Sequence, residues 1–541
     1  MTEPITERVS AAELLGTVQN TGYGEAGASF DRKALRSFLP ASASPGEDIL
    51  PSISVLRRRS RLLYMSTPLA TAALNTNRTH VIGSGLKMQA TIDLNVLGIS
   101  EEEARKWQQR AEAEFELWAG RPENCDALGL NTFYEQQALA FISSDMSGDV
   151  FAVMKRAERT RMNPYTLRLH LIEADRISTP TAILGGLLPG TEAIIPDDTD
   201  EDGKKQPGAG HRVFDGVEVD DDGKIVAYHI CSRYPDGILV PADPADWARI
   251  PVRGEQSGLP NILHIFNAER PEQYRGVPFL ARVIEPLLQI RRCTDSELMA
   301  ALVRSFFTAW VVTENGGNDI PMNEVRSEGP PEFKREETPV GPDEYRMAPG
   351  TVLHLKKGET VNFGNPSIQT IGFDSFVKIF CRLIGASLEI PYDVLCKEFD
   401  SSYSASRGAL MEAWEAFKMR RSWFISDFCQ PVYEIWLAEA VALGRIKAPG
   451  FFSDPLLRAA WCGAKWVGPV SVSLDPVKDT KAAVMQMAAA IKTGQQVAQE
   501  LGGGDYDENI TKRKAEMQRL IDAGLVMPDP NANAEPNDGN E

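Results

Sequence analysis

The sequence predicts an α+β fold in which a block rich in strands is followed by long helices, rather than alternating with them. Strand signals, with period-two alternation and turn residues, are concentrated between residues 149 and 266. Two long helical patterns, at 277–313 and 367–395, bracket a section rich in Pro and Gly at 314–366. This order predicts an antiparallel helix pair with a small domain at its tip.

The composition bounds the possible classes of protein. A chain of 541 residues favours two to four domains, and 43% hydrophobic with 24% charged residues is typical of a folded protein. The net charge of −18 disfavours tight wrapping of DNA, because nucleic-acid binders are usually basic. Weak passage of DNA along a surface is compatible with this charge, since an acidic wall reduces sticking.

The cysteines and the amino terminus indicate a cellular compartment. The seven cysteines are widely spaced and form no C-x-x-C pair, which predicts reduced thiols in a cytosolic protein. The first residues, MTEPITERVSAAELLG, contain no basic segment followed by an apolar one, so we expect no secretion signal. No run of about 18 apolar residues occurs. We therefore expect a soluble protein that is made in the cytoplasm.

The amino-terminal region predicts an arm and then helices. Residues 1–45 are rich in Gly, Ala and Ser and predict an irregular arm. Two helices should follow, broken at Pro68. The first helix carries the densest basic cluster of the chain, Arg57, Arg58, Arg59 and Arg61. Two interpretations stay open: a solvated helix face that pairs with acidic neighbours, or a contact with a phosphate or a partner.

Short signals predict two local structures further along. Ser100 and Glu103 have the spacing of a capping box, which predicts the start of a helix over 101–118. The Asp222-Gly223 pair lies between alternating runs and predicts a hairpin turn.

The helical pattern that begins near residue 277 has one apolar stripe and polar faces around the rest of its circumference. The stripe includes Leu280, Val283, Ile284, Leu287 and Leu298. The polar faces include Arg282, Arg291, Arg292, Asp295 and Arg304. Pro286 should start or kink the helix. So polar a helix is unusual for one compact core and would suit a wall shared with neighbouring copies of the chain.

The carboxyl-terminal third predicts further helices. A polar loop at 396–406 precedes the longest helical pattern, which should kink at Pro431. Arg407 lies at the start of that helix, where a cation is unfavourable against the dipole unless it meets a phosphate or a neighbour's carboxylate. Two helices joined near Gly502 are expected over 477–524, followed by a disordered acidic tail.

The sequence contains none of the usual catalytic motifs, such as H-E-x-x-H, G-x-S-x-G or a Walker A loop. The six histidines are isolated, and none has metal-ligand spacing to a second ligand. We therefore predict no enzyme activity, no metal and no cofactor. A DNA-processing enzyme whose site has no local motif is the rival from another class.

Several stretches in a fixed order carry a family resemblance. They are RRRSRLLYMSTPLATAALNTNRTHVIGSGLKMQ, LIEADRISTP, GVEVDDDGKIVAYHI, HIFNAERPEQYRGVPFLARVIEPLLQI and IPYDVLCKEFDSSYSASRGALMEAWEAF, with QPVYEIW after them. Each alone is a weak signal, but together and in this order the chain resembles the tailed-bacteriophage portal proteins of the lambda family. The resemblance runs from about Gly22 to about Leu525.

The resemblance implies a ring, usually of twelve copies, at one capsid vertex, through which double-stranded DNA is packaged and later ejected. Implied partners are the terminase large subunit, a head–tail adaptor, and the major capsid and scaffold proteins, with no membrane. The implied location is the virion, and the host cytoplasm during assembly. Another ring component, a head–tail adaptor, is the alternative, although such adaptors are typically much smaller.

The family architecture also implies a place for each region. It implies a flexible arm at 1–45, a β-rich wing at 46–276, stem helices at 277–313 and 367–395, a small α/β clip at 314–366, a tunnel loop at 396–406, a long kinked helix with the return to the wing at 407–475, a helical crown at 476–525 and an acidic tail at 526–541.

Two sets of site residues follow from these places. The loop residues expected to face DNA are Lys397, Ser401, Ser402, Tyr403, Ser404 and Arg407, unless the loop merely spaces two helices. The stem residues expected at subunit contacts or in the channel are Arg282, Arg291, Arg292, Asp295 and Arg304.

Overall fold

The computed structural model combines helices and strands, as the sequence predicts. It describes residues 28–29, 32–185, 190–197, 207–235, 246–305, 309–313, 359–363, 373–398, 403–471, 475–502 and 504–525. The predicted arm, clip and acidic tail therefore lie wholly or largely outside the described residues. Among the described helices, none is both long and apolar enough to cross a membrane.

The region before the strand-rich block is mostly helical. Its elements are α1 (Pro45–Ser66), α2 (Pro68–Val81), β1 (Lys87–Ala90), α3 (Leu94–Leu97), α4 (Glu101–Ala119), α5 (Pro122–Cys125) and α6 (Phe133–Ser147). The predicted break at Pro68 is confirmed, because Pro68 takes the first position of α2. The predicted capping box of α4 is also present, with the Glu103 carboxylate accepting from the Ser100 N–H at 3.1 Å.

The strand-rich block contains two antiparallel sheets. Its elements are β2 (Asp149–Arg156), β3 (Leu167–Glu173), α7 (Thr181–Leu184), β4 (Glu192–Ile194), β5 (Arg212–Phe214), β6 (Val217–Val219), β7 (Ile225–Cys231), β8 (Trp247–Pro251) and β9 (Ile262–Phe266). The order is β3-β2-β9 in one sheet and β4-β5-β6-β7-β8 in the other. The predicted hairpin joins β6 to β7, where Gly223 adopts φ +83° and its N–H donates to Asp220.

The second half contains the long helices. Its elements are α8 (Ile284–Ser305), β10 (Ala309–Thr313), β11 (Glu359–Phe363), α9 (Phe373–Ser387), α10 (Tyr392–Cys396), α11 (Tyr403–Phe424), α12 (Gln430–Ala442), α13 (Pro455–Trp461), β12 (Ala464–Val467), α14 (Pro476–Ala488), α15 (Gly494–Glu500) and α16 (Tyr506–Asp522). Strand β12 pairs with β1, so the chain returns to its amino-terminal region near residue 467.

The structure confirms the start of the first long helix and corrects its end. A 3-10 turn over Ala281–Val283 leads into α8, and Pro286 lies in the first turn, where a missing N–H costs nothing. The prediction extended this helix to residue 313, but α8 ends at Ser305 and β10 follows. Strand β10 pairs antiparallel with β11, so the strand that follows α8 and the strand that precedes α9 lie side by side.

The last helices also depart in part from the prediction. A π-helical segment, Ile425–Cys429, lies between α11 and α12, and Pro431 is the second residue of α12. The kink at Pro431 itself stays a prediction. The prediction of two helices over 477–524 was wrong, because three are formed. The additional break follows α14, where Ala490 adopts φ +54° and Thr493 caps the next helix.

Three buried clusters hold these elements together. The largest is aromatic: Phe115, Trp118 and Phe133 pack with Tyr433 and Trp436, so α4 and α6 enclose α12. A second cluster joins α1, α2, α8, α9 and α10, and a third fills the space between the two sheets. The second cluster therefore fixes the helix pair α8 and α9 on the amino-terminal helices.

Candidate functional site: the helix pair and its anchor

Helix α8 changes its surroundings along its length. Leu280, Val283, Ile284 and Leu287 are buried against α1, α2 and α9. From residue 291 to residue 299 no side chain is buried. Leu298, which continues the predicted apolar stripe, is 61% exposed. The first turns of α8 thus belong to the core of the chain, whereas the following turns project from it.

Helix α9 has a buried face and an exposed apolar face. Cys381, Ile384 and Leu388 line the buried side. Ile379 and Leu383, one turn apart, are 55% and 60% exposed, and Phe376 lies on the same face. We call Phe376, Ile379 and Leu383 the outer face of α9. Grouped exposed apolar side chains usually mark a site of association.

The predicted stem residues occupy different situations. Arg282 forms an ion pair with Glu269 of its own chain. Arg291, Arg292 and Asp295 are exposed on the projecting part of α8. Arg304 lies in the last turn of α8, but its side chain is outside the described residues. The four of these side chains that the structure describes do not form one cluster.

The predicted loop residues are described only in part. Lys397 ends α10 in the left-handed conformation, with φ +56°, and its side chain is exposed. Ser401 and Ser402 lie outside the described residues. Tyr403 and Ser404 begin α11, and their side chains are outside the described part as well.

Arg407, near the start of α11, pairs with a carboxylate of the same chain. It ion-pairs with Asp479 of α14 at 3.6 Å across a cleft of about 960 Å³. The sequence required a phosphate or a carboxylate to offset this charge near a helix amino terminus. The partner present is a carboxylate of the same chain. Since the Arg407 side chain remains 46% exposed, a second anion can still approach it.

A buried ionic network that the sequence did not predict lies beside the segment that leads into α8. Asp149, at the start of β2, accepts from Arg275 Nε at 2.7 Å and from Arg57 Nη2 at 3.2 Å. Arg275 also ion-pairs with Asp215 at 2.6 Å, and its side chain is fully buried. His264 lies 3.4 Å from the same Asp149 carboxylate. We call these five residues the anchor network.

The charges of this network hold each other in the ionised state. Burial alone would raise the pKa of Asp149, yet Arg275 and Arg57 hold it well below its usual value. Burial lowers the pKa of Arg57, and it also lowers that of His264, so a neutral imidazole is favoured. The network joins α1, both sheets and the segment that leads into α8. It therefore ties this segment to both sheets and to α1.

Ion pairs within the chain account for two of the four arginines in the basic cluster of α1. Arg57 pairs with Asp149, and Arg61 pairs with Glu173 and Asp175. Pairing with acidic neighbours is therefore confirmed for these two arginines. The expectation of a solvated face was wrong for Arg57, which is 2% exposed.

A sequence model described as phage portal protein, lambda family, matches residues 31–421 of this chain. The chain belongs to the lambda family of phage portal proteins. Portal protein B of Escherichia phage lambda is 24% identical over 518 residues, which cover 94% of this chain and 91% of that protein. The portal protein of Escherichia phage N15 is 23% identical over 526 residues, covering 94% and 92%.

Solved structures give a more distant likeness to this portal-family chain. The neck of an empty gene transfer agent particle, computed with C6 symmetry, matches with a TM-score of 0.41 and 13% identity over 83% of this chain and 92% of that one. The neck of the native particle, computed with C12 symmetry, gives a TM-score of 0.39 and 12% identity with the same coverage.

Family membership confirms the resemblance read from the sequence and gives the chain the role of a phage portal protein. Portal proteins are structural components of the particle rather than enzymes. In the described residues, no group of three or more His, Cys, Asp or Glu side chains is placed to hold a metal ion. The family match includes both the anchor network and the helix pair, whose geometry supports the proposal below.

Proposed function

We propose that this chain forms a closed ring, of about twelve copies, at one vertex of a phage capsid, and that double-stranded DNA enters and leaves through it. The observation that carries this proposal is the projecting part of α8 together with the outer face of α9. These surfaces lack a partner core in the described chain. A ring requires each subunit to present two different faces to its neighbours, and a helix pair that projects from its core can supply both.

The outer face of α9 is proposed as one side of the subunit contact. Full burial of one large apolar side chain is worth about 1.5–3 kcal/mol, so burying the exposed parts of Phe376, Ile379 and Leu383 gives a favourable term of a few kcal/mol per contact. The exposed charges Arg291, Arg292 and Asp295 would then set the register of the contact but add little to its free energy, because exposed ion pairs contribute little. These stem residues and Arg282 and Arg304 keep the predicted role at subunit contacts or in the channel.

The domain places follow from the same proposal. Residues 1–45 form the arm, residues 46–276 form the wing, and residues 314–366 form the clip. The stem regions 277–313 and 367–395 contain α8 and α9. The anchor network then lies within the wing, next to the start of the stem. The segment 396–406 forms the tunnel loop, and 476–525, which contains α14, α15 and α16, forms the crown. The terminase, the head–tail adaptor and the capsid and scaffold proteins are its partners, with the clip as the docking end for the terminase.

Contacts with DNA are proposed at the predicted loop. Lys397 is exposed and Arg407 is half-exposed, so both can meet a phosphate that is sliding past. The serines and Tyr403 would add weak, sequence-independent contacts. Few cations on a chain of net charge −18 suit passage rather than retention, because each phosphate contact must form and break.

The ring is tested with the purified full chain. Negative-stain images and native mass spectrometry should show rings of about twelve copies. The Leu383→Asp variant places a charge on the outer face of α9 and should shift the population to smaller species at the same protein concentration. Met162→Asp is the matched control, because Met162 is also an exposed apolar residue but lies between β2 and β3. A stable monomer of the unaltered chain at every salt concentration would refute the ring.

The DNA contact is tested in a packaging assay with particles that carry a doubly reversed loop, Lys397→Glu with Arg407→Glu. We expect slower packaging or poorer retention of DNA, with rings still formed. Lys106→Glu is the matched control, since Lys106 is an exposed cation on α4, in the proposed wing. Unchanged packaging and retention in the loop variant would show that the loop only spaces two helices.

A further inference from the structure

A cleft of about 270 Å³ opens near the start of the helix pair. Its lining comes from α6, from the segment that leads into α8, from the end of α9, and from the end of α11 with the π-helical segment after it. Aromatic side chains line it, among them Phe279, Trp423 and Phe424. Trp423 and Met419, one turn apart on α11, both line the cleft and are each 41% exposed. A side chain from outside can therefore reach the cleft.

One part of the lining already holds a guanidinium group. The guanidinium carbon of Arg420 lies over the ring of Phe279, 5.0 Å from its centroid. The Nη2 group of Arg420 donates to the Glu389 carboxylate at 2.9 Å. An aromatic face beside a carboxylate suits an arginine, because the ring attracts the cation and the carboxylate accepts its N–H groups.

Another part of the lining presents the same two kinds of group, and no described residue supplies a cation to it. Trp423 and Asp427 both line the cleft and are four positions apart in the chain. Among the described residues, the half-buried Asp427 carboxylate forms no ion pair and accepts one side-chain hydrogen bond, from the Ser426 hydroxyl at 3.1 Å. Burial raises the pKa of Asp427, and no neighbouring cation opposes this rise. The aromatic ring and the carboxylate are thus placed for a cation that the single chain does not provide.

The charges around the cleft also favour a basic occupant. Each of the two guanidinium groups in the lining pairs with one carboxylate, so two carboxylates remain in excess. Burial raises the pKa of one of these two, Asp145, to about 6. The charged residues of the lining are Asp145, Glu269, Glu389, Asp427, Arg282 and Arg420.

The position of the cleft indicates where the cation comes from. Ser387, which lines the cleft, lies one turn beyond Leu383 on α9, so the cleft continues the outer face of α9. A second copy that covers the outer face, as the proposed ring requires, therefore reaches the cleft. This inference rests on the proposed function in that respect.

Helix α8 of that second copy carries suitable side chains. Arg291 and Arg292 are exposed on its projecting part. Ala281, directly before α8, lines the cleft, and the rotational symmetry of a ring sets equivalent residues of two copies at one height. Long side chains on a helix lean toward its amino-terminal end. The two arginines of the neighbour therefore lean toward the height of the cleft.

We propose that Trp423 and Asp427 bind the guanidinium group of Arg291 or Arg292 from a second copy of this chain. The Trp423 ring covers the planar cation, and the Asp427 carboxylate accepts its N–H groups. Of the exposed stem charges, the arginine that enters the cleft strengthens the contact, because the cleft shields this pair from water.

The first test removes the site and leaves the fold. Asp427→Asn removes a charge that has no described counterion, so the unfolding midpoint should not fall, whereas association between copies should weaken about tenfold. Trp423→Ala should weaken association to a similar degree. Glu415→Gln is the matched control, because Glu415 is an exposed carboxylate of α11 that pairs with Lys418 outside the cleft. Native mass spectrometry of each purified full chain over a series of salt concentrations measures the ring fraction.

The second test identifies the occupant. Arg291→Asp with Arg292→Asp should also weaken association, and adding Asp427→Arg to that chain should restore part of it, because the charges of the contact are then exchanged. Photoreactive benzoylphenylalanine in place of Met419 should give a cross-linked dimer on a denaturing gel. Peptide mass spectrometry should place the link in α8 of the other copy.

Three outcomes would overturn the inference and leave the proposed ring intact. One is rings of the Asp427→Asn and Trp423→Ala chains that dissociate at the same salt concentration as those of the unaltered chain. Another is a cross-link from position 419 that stays within one chain or joins a part of the second copy other than α8. The last is a lower unfolding midpoint of Asp427→Asn with unchanged association, which would give Asp427 a structural role only. A stable monomer of the unaltered chain would refute the proposed function and this contact with it.

Discussion

Replacing Asp149 by Asn tests how much the anchor network stabilises the folded chain. The substitution keeps the size of the side chain but removes the charge that faces Arg275 and Arg57. Asp149 and Arg275 are fully buried, and Arg57 is nearly so. Removing one partner from a buried pair costs about 3–5 kcal/mol, because the remaining charges stay in a medium that cannot solvate them. The Asp149→Asn chain should therefore unfold at a clearly lower urea concentration.

The assay is urea unfolding followed by tryptophan fluorescence and circular dichroism. Glu102→Gln is the control, since it removes the charge of an exposed pair with Lys106 and should leave the midpoint almost unchanged. A double-mutant cycle with Arg275→Met then measures the coupling. If the two residues interact as the distances indicate, the double variant should lose less stability than the two single variants together.

The pH dependence supplies a second readout of the same network. The folded-state pKa of Asp149 lies well below its unfolded value. Its contribution to the free energy of unfolding is therefore present at neutral pH and is lost as the pH falls below the usual aspartate range. The Asp149→Asn variant should lack this part of the acid sensitivity. A midpoint equal to that of the unaltered chain at neutral pH, with the same acid profile, would refute the reasoning.

Three further predictions concern other regions. Burial raises the pKa of Glu112 to about 7, so the folded chain binds this proton more tightly than the unfolded chain. The free energy of unfolding should therefore fall as the pH rises through about 7. Glu112→Gln should remove this slope in pH-dependent thermal unfolding. Gly385→Ala should lower the thermal midpoint by an amount equivalent to about 1–3 kcal/mol, because the added methyl group meets a backbone oxygen, whereas Gly408→Ala, with no atom within 4 Å, should be neutral or stabilising. Arg407→Gln should cost at most about 1 kcal/mol in urea unfolding, because its pair with Asp479 is partly exposed; a larger loss would show that this pair holds the carboxyl-terminal helices.

Local signals in the sequence predicted the structure well wherever the cause was local. Proline at the first turn of α2 and in the first turn of α8 marks both helix starts, since the N–H that proline lacks has no partner there. The Ser100–Glu103 box and the Asp222-Gly223 hairpin are of the same kind. In each case the residues that decide the conformation lie within four positions of each other.

Predictions failed where the residues that decide the structure are distant in sequence, or where the helical pattern continues past the end of the helix. Nothing in the spacing of Arg57 shows that its partner Asp149 lies 92 positions away, or that Arg275 shares that carboxylate from 126 positions away. The apolar pattern of α8 continues into Ala309–Thr313, where pairing with β11 forms a strand instead. A buried arginine can be suspected from sequence only when its acidic partners are known.

The anchor network lies near the start of α8, and the exposed apolar side chains lie further along the helix pair. Helix α8 has 22 residues and is about 33 Å long, but only its first turns touch the core of its own chain. Close to these first turns, the buried anchor network joins α1, both sheets and the segment that leads into α8. The free end of α8 is stable only if something else covers the apolar side chains there. In the proposed ring, copies of the same chain would cover each other's exposed helix faces in turn, and the same contact repeated between successive copies is what allows a ring to close.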